Sequence, residues 1–425
     1  MNICIVSSGD FFSDYGGGQV YVRNLVDELS HRSDVNTSVI SFSANCDTEA
    51  KDYKGIKVYR VCDEHTFRDA LLQIRPDIVH ANGEKLLTAR LCKDLDIRCV
   101  VTAHHGGLVC PAGTLLNTDD EICRIPADYS HCLKCYLRNT PTGLFWYPLL
   151  KKYSQERYCK IGRCLERLPN IPFISPIGRT GLIVSRKLAD WKELSETATH
   201  FIAPSNAMAE ALRRNGCPDN KITVISHGIP ELTTRLKVQK STDIGISNII
   251  KFYYIGRINY VKGIHILLEA FSSIEINNIE LHIIGGAGNK DEQRYMSRLQ
   301  KKFKKDSRII WLGKVPYEKM HDVTEAFHCL VHPAIYLEVF GLNIAEALQA
   351  GKYVIASRCG GAEMQIRNNS DGILVEPNDV KALTHAMEHF ASQPKSSTSN
   401  VINIHQHIDN LIDLYKTITQ SKCQA

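Results

Sequence analysis

Two carboxylates, Glu338 and Glu346, lie eight positions apart in AIYLEVFGLNIAEALQAG (residues 334–351). Between them Phe340, Gly341 and Leu342 form a predicted strand-to-helix turn, whose free N–H groups make an anion site at the helix start. A carboxylate beside such a site does not bind the anion. It suits the hydroxyl donors that flank a phosphate, such as those of a sugar or a ribose. A second cluster, IGRINYVKG, puts Arg257 and Lys262 on one loop. A planar fork and a point charge together match a pyrophosphate, and would make a divalent metal unnecessary for its departure. In the N-terminal part, YGGGQVYVRNL leads Gly16, Gly17 and Gly18 into a helix and permits close backbone approach to a ligand. Each feature also has an ordinary reading: acids at a helix start, a surface ion pair, a plain turn. For His104, in VVTAHHG, that reading is a core histidine at a strand end.

These residues need elements to hold them. Strand-like runs alternate with amphipathic helices from NICIVSS to RCVVTAH, and again from IIKFYYIG to GILVEP. Such alternation predicts parallel strands with helical crossovers. The expected fold class is α/β, with two Rossmann-like doubly wound domains facing a central cleft, where ligands bind at the carboxyl ends of strands. The first domain is assigned to residues 1–229, with a Cys-rich insert at about 106–193 where the alternation stops. The polar stretch 230–248 reads as a linker and 249–395 as the second domain. Residues 396–425 read as a C-terminal helix that packs back on the first domain.

Composition narrows the class. Hydrophobic residues at 44% and charged residues at 23% fit a globular chain rather than a disordered one. A net charge of +5, spread along the chain, is too mild to imply a nucleic-acid partner. No run approaches the roughly 18 to 20 apolar residues of a spanning helix. Cysteines such as Cys4, Cys92, Cys329 and Cys359 sit singly inside strands and helices, which suits free thiols in a reducing cytoplasm.

The insert carries its own signals. Cys110, Cys123, Cys132 and Cys135 follow C-x12-C-x8-C-x2-C, and the closing C-x2-C has the bite of a tetrahedral zinc site. A structural zinc that folds an acceptor-facing flap, packed free thiols, and disulfides all remain open readings. Further on, residues 150–168 form a basic amphipathic pattern that could rest on an anionic membrane or pack as a solvated helix. KDLDI, with Asp94 and Asp96, imitates a metal-binding acid pair but reads as an exposed helix end.

Together the Glu-x7-Glu pair, GRINYVKG, SRCGGAEMQI, APSNAMAEAL, VVTAHHG and the early GGG closely resemble glycosyltransferase family 4, retaining enzymes of the GT-B fold. The resemblance covers the chain apart from the insert. It implies a UDP- or GDP-linked sugar donor, no cofactor for transfer, and a glycan or lipid-linked acceptor. It also implies synthesis of envelope polysaccharide or lipopolysaccharide in the cytoplasm, at the inner face of the membrane. By the same resemblance Arg257, Lys262 and the amides of Phe340, Gly341 and Leu342 hold the diphosphate. Glu346 takes the ribose, Glu338 and His104 contact the transferred sugar, and Gly17 and Gly18 lie against donor or acceptor. Two positions depart from the pattern: His104-His105 replaces His-Asp, and His227-Gly228 replaces Asn-Gly. A nucleotide-sugar epimerase or hydrolase, and a catalytically silent nucleotide-sugar-binding partner, are the other readings.

Overall fold

A computed structural model describes residues 1–7, 9–12, 17–44, 50–138, 140, 143–166, 174–230, 249–367, 369–397 and 401–420. The chain divides into two units. The first comprises Met1–Thr118, Cys123–Pro230 and Ile402–Ala425, and the second Asp119–Ile122 and Glu231–Val401. Apart from Pro230, the stretch assigned as linker lies outside the described residues.

The first unit is built on an eight-stranded sheet. Its strands are β1 (Asn2–Val6), β2 (Asn36–Phe42), β3 (Lys51–Tyr53), β4 (Ile56–Val61), β5 (Ile78–Ala81), β6 (Arg98–Thr102), β7 (His200–Ala203) and β8 (Ile222–Val224). They run in the order β3-β4-β2-β1-β5-β6-β7-β8, parallel except for β3. The sequence of β1, NICIV, is nearly all apolar because both faces of a parallel sheet are covered. The chain order reverses on either side of β1, so the loops after β1 and β5 diverge there and leave room for a ligand. The helix Gly17–Leu29 seats Tyr21, Val22, Leu25, Val26 and Leu29 on this sheet. The same core holds Ile404, Ile408, Leu411, Ile412, Tyr415 and Ile418 from the last helix, Ile404–Gln420.

The insert is helical. Tyr129–Arg138, Gly143–Leu150, Gln155–Glu166 and Ile174–Thr197 gather around Leu133, Leu137, Tyr158 and Ile177. The helix within the basic stretch, Gln155–Glu166, turns Tyr158, Cys159 and Gly162 inward against Ile174–Thr197 and keeps Arg157, Lys160 and Arg163 outside. The helix Lys85–Asp94 ends at Asp94, and Asp96 follows in a left-handed turn. Cys4, Cys92, Cys329 and Cys359 are free and buried, whereas Cys62 is disulfide-bonded, an exception to the expected free thiols.

The second unit has six parallel strands: β9 (Ile250–Ile255), β10 (Ile279–Ile284), β11 (Ile309–Gly313), β12 (Cys329–His332), β13 (Tyr353–Ser357) and β14 (Gly372–Val375). Their order is β11-β10-β9-β12-β13-β14, so the reversal falls between β9 and β12. The loops that leave those two strands carry Arg257, Lys262 and Glu338. Among the described residues no helix is long and apolar enough to cross a membrane.

Candidate functional site

In the second unit, the loop after β9 folds back on the loop after β12. Asn259 caps the turn Tyr260–Lys262 by accepting from the Lys262 amide at 3.1 Å, and the Ile335 amide donates to the Val261 carbonyl at 2.9 Å. Gly263 makes the approach possible. It has φ of 69°, and a Cβ there would meet the Pro333 carbonyl oxygen at 1.8 Å. Glu338 is fixed by its backbone, donating to the Cys359 carbonyl and accepting from the Gly361 amide at 2.8 and 2.7 Å.

This geometry gathers three groups on one carboxylate oxygen, Lys262 and Tyr336 as hydrogen-bond donors and His332 within ion-pair distance. Glu338 Oε2 lies 2.5 Å from Lys262 Nζ, 2.9 Å from the Tyr336 hydroxyl and 3.3 Å from His332 Nε2. Asn343 Nδ2 donates to the Ile255 carbonyl at 2.9 Å and lies 3.1 Å from His332 Nδ1. An amide nitrogen can only donate, so Nδ1 accepts and the ring proton sits on Nε2, facing Glu338. Burial works against the charge on Glu338, but Lys262 and His332 outweigh it and hold the carboxyl well below its usual range. Burial works against Lys262 too, and Glu338 again prevails, so the ammonium keeps its proton. Among the described residues Oε1 has no hydrogen-bond partner and is left for a ligand hydroxyl.

Three residues on from Glu338, the helix Leu342–Gln349 begins at Gly341, whose φ of 82° turns the chain without a side-chain cap. Among the described residues the amides of Gly341, Leu342 and Asn343 make no hydrogen bond, which leaves an anion-binding helix end beside Lys262 and Glu338. Phe340 is buried, and its carbonyl accepts from Gln365. Glu346 lies half-buried in the helix, with the Tyr317 hydroxyl 3.2 Å from Oε1. Burial pushes its carboxyl up to about 7, against the lowering effect of Tyr317. Arg257 is not part of the Glu338 cluster. Its side chain is 64% exposed and stands 3.8 Å from Glu292, free to swing onto an anion. Glu292 also accepts from the Gly288 amide and from Asn259, at 2.6 and 3.3 Å, which ties the loops after β9 and β10 together.

In the first unit, Gly17 and Gly18 start the helix Gly17–Leu29, and a Cβ at Gly18 would meet nothing within 4 Å. Gly16 lies outside the described residues. His104, at the end of β6, donates from Nε2 to Asn82 Oδ1 at 2.7 Å. Around it stand Tyr21, with ring centroids 5.0 Å away, and His227 at 5.3 Å. Burial first, and Lys85 second, hold His104 well below its ordinary value, so the ring is neutral. The last helix completes the cluster. The Tyr21 hydroxyl bonds His407 Nε2 at 3.0 Å, His407 Nδ1 donates to the Ser226 carbonyl at 2.7 Å, and the Tyr415 hydroxyl bonds His80 Nδ1 at 2.6 Å.

The four thiols of the insert are free, which removes the disulfide reading, and a histidine stands among them. His131 Nε2 lies 3.9 Å from both Cys123 Sγ and Cys135 Sγ. Among the described residues no group of three or more His, Cys, Asp or Glu side chains is set to hold a metal. Burial, helped by the neighbouring Cys110, pushes Cys132 up to about 12, and burial pushes Cys135 up to about 11.

The sequence reading missed His332, Tyr336, Asn343 and Tyr317. A signal for His332 existed: a histidine ending the otherwise apolar strand CLVH, at the edge where ligands bind.

Known proteins match in two ways. Residues 242–420 match the family described as "Glycosyl transferases group 1". An uncharacterized glycosyltransferase of Methanocaldococcus jannaschii is 25% identical over 250 residues, covering 55% of this chain and 63% of the relative. The O-antigen chain mannosyltransferase C of Escherichia coli is 24% identical over 183 residues, covering 40% and 47%. The chain therefore spans about half to two thirds of the length of these relatives. Among solved structures, sucrose-phosphate synthase of Thermosynechococcus elongatus superposes with a TM-score of 0.68 at 17% identity, covering 99% of both chains. Anabaena HepE in complex with UDP and glucose gives 0.61 at 15%, covering 98% of this chain and 100% of the other. The fold is GT-B. In this GT-B chain the matched family region contains the whole Glu338, Lys262 and Glu346 arrangement.

Proposed function

We propose that the protein is a retaining glycosyltransferase of family 4 that moves a hexose from a UDP- or GDP-linked donor to a glycan or lipid-linked acceptor. The setting is envelope polysaccharide or lipopolysaccharide synthesis, at the cytoplasmic face of the membrane. The observation that carries the reading is the convergence of Lys262, Glu338 and the uncapped start of Leu342–Gln349 at the switch point of the second sheet. A cation and free amides match a diphosphate, while a carboxylate with one oxygen engaged and one open matches a sugar hydroxyl. The match to a glycosyl transferase family and the UDP-bound neighbour support it.

In this reading the donor diphosphate draws Lys262 from Glu338, and Arg257 closes from its exposed position onto the same phosphates. The bond between the anomeric carbon and the phosphate oxygen breaks with its electron pair going to the diphosphate. The acceptor oxygen bonds the same carbon from the same face, and its proton passes to the departing phosphate. Catalysis is positioning plus stabilisation of the leaving charge, without a metal ion at the diphosphate. Tyr336 and His332 keep Glu338 ionised and oriented after Lys262 has turned to the phosphate. Glu346 binds the ribose hydroxyls, and His104, Gly17 and Gly18 face the sugar or acceptor from the first unit.

The test is calorimetric titration of UDP-sugars and GDP-sugars without divalent metal, on wild type and Lys262→Ala. One series is expected to bind and to lose about 100-fold or more in the variant. Binding of neither series overturns the donor-site reading. A structural zinc on Cys110, Cys123, Cys132 and Cys135 belongs to the same proposal, with the thiols closing around the ion. Metal analysis after purification without metal-affinity resin is expected to find one zinc per chain, and finding none removes it.

A further inference from the structure

The helix Gly143–Leu150, of sequence GLFWYPLL, contains no charged residue. Tyr147 and Leu150 pack on the insert core formed by Leu133, Leu137, Tyr158 and Ile177. Residues three apart share a helix face, so this pair defines the inner side. On the outer side Phe145 is 78% exposed and Leu149, four positions on, 47%, with Leu144 at 45% and Trp146 at 42% beside them. Four large apolar side chains on one eight-residue helix form a contiguous exposed patch of the kind that marks an interaction surface.

The surroundings select the partner. The next residues, Lys151 and Lys152, are exposed, and so are Arg157 and Arg163 on the following helix. Among the described residues none of these four has a carboxylate within ion-pair distance. Glu156 is occupied by Lys160 at 2.8 Å, and Glu166 by Arg186 at 2.6 Å. An apolar, aromatic-rich face beside uncompensated cations is the pattern of a segment that enters the headgroup layer of an anionic bilayer. At about 1.5 Å per residue the helix is about 12 Å long, far short of the roughly 30 Å hydrocarbon core, so it lies in the interface. Pairing of two copies through the same patch would bring like charges together.

We infer that Gly143–Leu150 docks on the surface of an anionic lipid bilayer, with Phe145, Trp146 and Leu149 among the acyl chains and Lys151 and Lys152 at the headgroups. The sequence placed such a contact on the basic stretch 150–168. The structure adds an apolar wedge just before it, and the basic helix supplies the charged flank. This inference goes beyond the donor reading and stands independently of it.

The experiment is flotation of the full chain with phosphatidylcholine vesicles, with and without phosphatidylglycerol, at low and physiological salt. Wild type is expected to float with the anionic vesicles. Phe145→Ser/Leu149→Ser is expected to lose about tenfold or more of that binding, and Lys151→Gln/Lys152→Gln the preference for anionic lipid. Vesicles are expected to shift Trp146 emission to the blue. Melting temperature and nucleotide-sugar titration, run on every variant, separate lost docking from lost folding, and their outcome does not depend on lipid. Equal flotation of wild type and the serine variant, or no flotation of wild type, overturns the inference. A concentration-dependent dimer that the serine variant abolishes would assign the face to a second copy instead.

Discussion

Both units place polar side chains at the carboxyl ends of parallel strands, where burial penalises charge, and they meet that penalty in opposite ways. The second unit keeps its charges and pairs them: Lys262 and Glu338 stay ionised because each is the other's compensation. The first unit keeps its histidine rings neutral beside one cation, Lys85. His80, His104, His227 and His407 form a cluster of neutral rings joined to Tyr21, Tyr415, Thr102 and Asn82. A paired charge responds to a phosphate by exchanging partners, whereas a neutral network holds hydroxyls in place without competing for the anion. The contrast separates a site for leaving-group charge from a site for shape and hydrogen bonding.

The contrast is broken most forcefully with acid. Burial holds His80 at about 3 and His407 at about 4. Both lie below the unfolded histidine value near 6.5, so the unfolded chain binds more protons and stability of the first unit falls as pH drops from about 6.5 toward 4. Each ring contributes on the order of 3 kcal/mol when fully titrated. Hydrogen exchange followed by unit against pH is expected to show amides of β5 and Ile404–Gln420 losing protection first.

Next in size is Lys262→Ala, which strands a largely buried carboxylate. It is expected to destabilise the second unit by about 2 to 3 kcal/mol in urea unfolding. A Lys262→Met/Glu338→Leu double variant should recover most of that stability while still failing to bind donor. If it did not recover, pairing would not be what maintains the charges.

Tyr21→Phe should cost the first unit about 1 kcal/mol, because His407 Nε2 loses its donor while its other nitrogen stays bound to Ser226. The smallest effect belongs to Glu346, which keeps part of its surface in water. Its folded value of about 7 lies above the ordinary 4.5, so the folded state holds the extra proton and stability falls as pH rises between those values. Glu346→Gln should flatten that slope in thermal melts taken from pH 4.5 to 8. Between about pH 4.5 and 6.5 the two units thus respond to pH with opposite sign.

What the sequence made legible was what is local. The strand and helix alternation of both units, and the turn between Glu338 and Glu346, depend on periodicities and on residues within a few positions of one another. That Lys262 reaches Glu338 is a contact across 76 positions, which spacing alone does not contain. The insert resisted because its helices have little core to share. Gly143–Leu150 is apolar on every side and shows no period. His332 is only 2% exposed, and its role is visible only once Asn343 fixes its tautomer. His407 was hidden by distance: its bond to Tyr21 spans 386 positions.

That last bond bears on how the chain is made. Synthesis delivers the N-terminal strands first, yet the unit they belong to lacks Ile408, Leu411, Tyr415 and His407 until the second unit has been made. Apart from the short Asp119–Ile122 segment, the other unit is drawn from one continuous stretch with no such debt. The ordinary rule that the first-made domain folds first is therefore inverted here. The core of the earlier half is completed by a piece that the later half does not need.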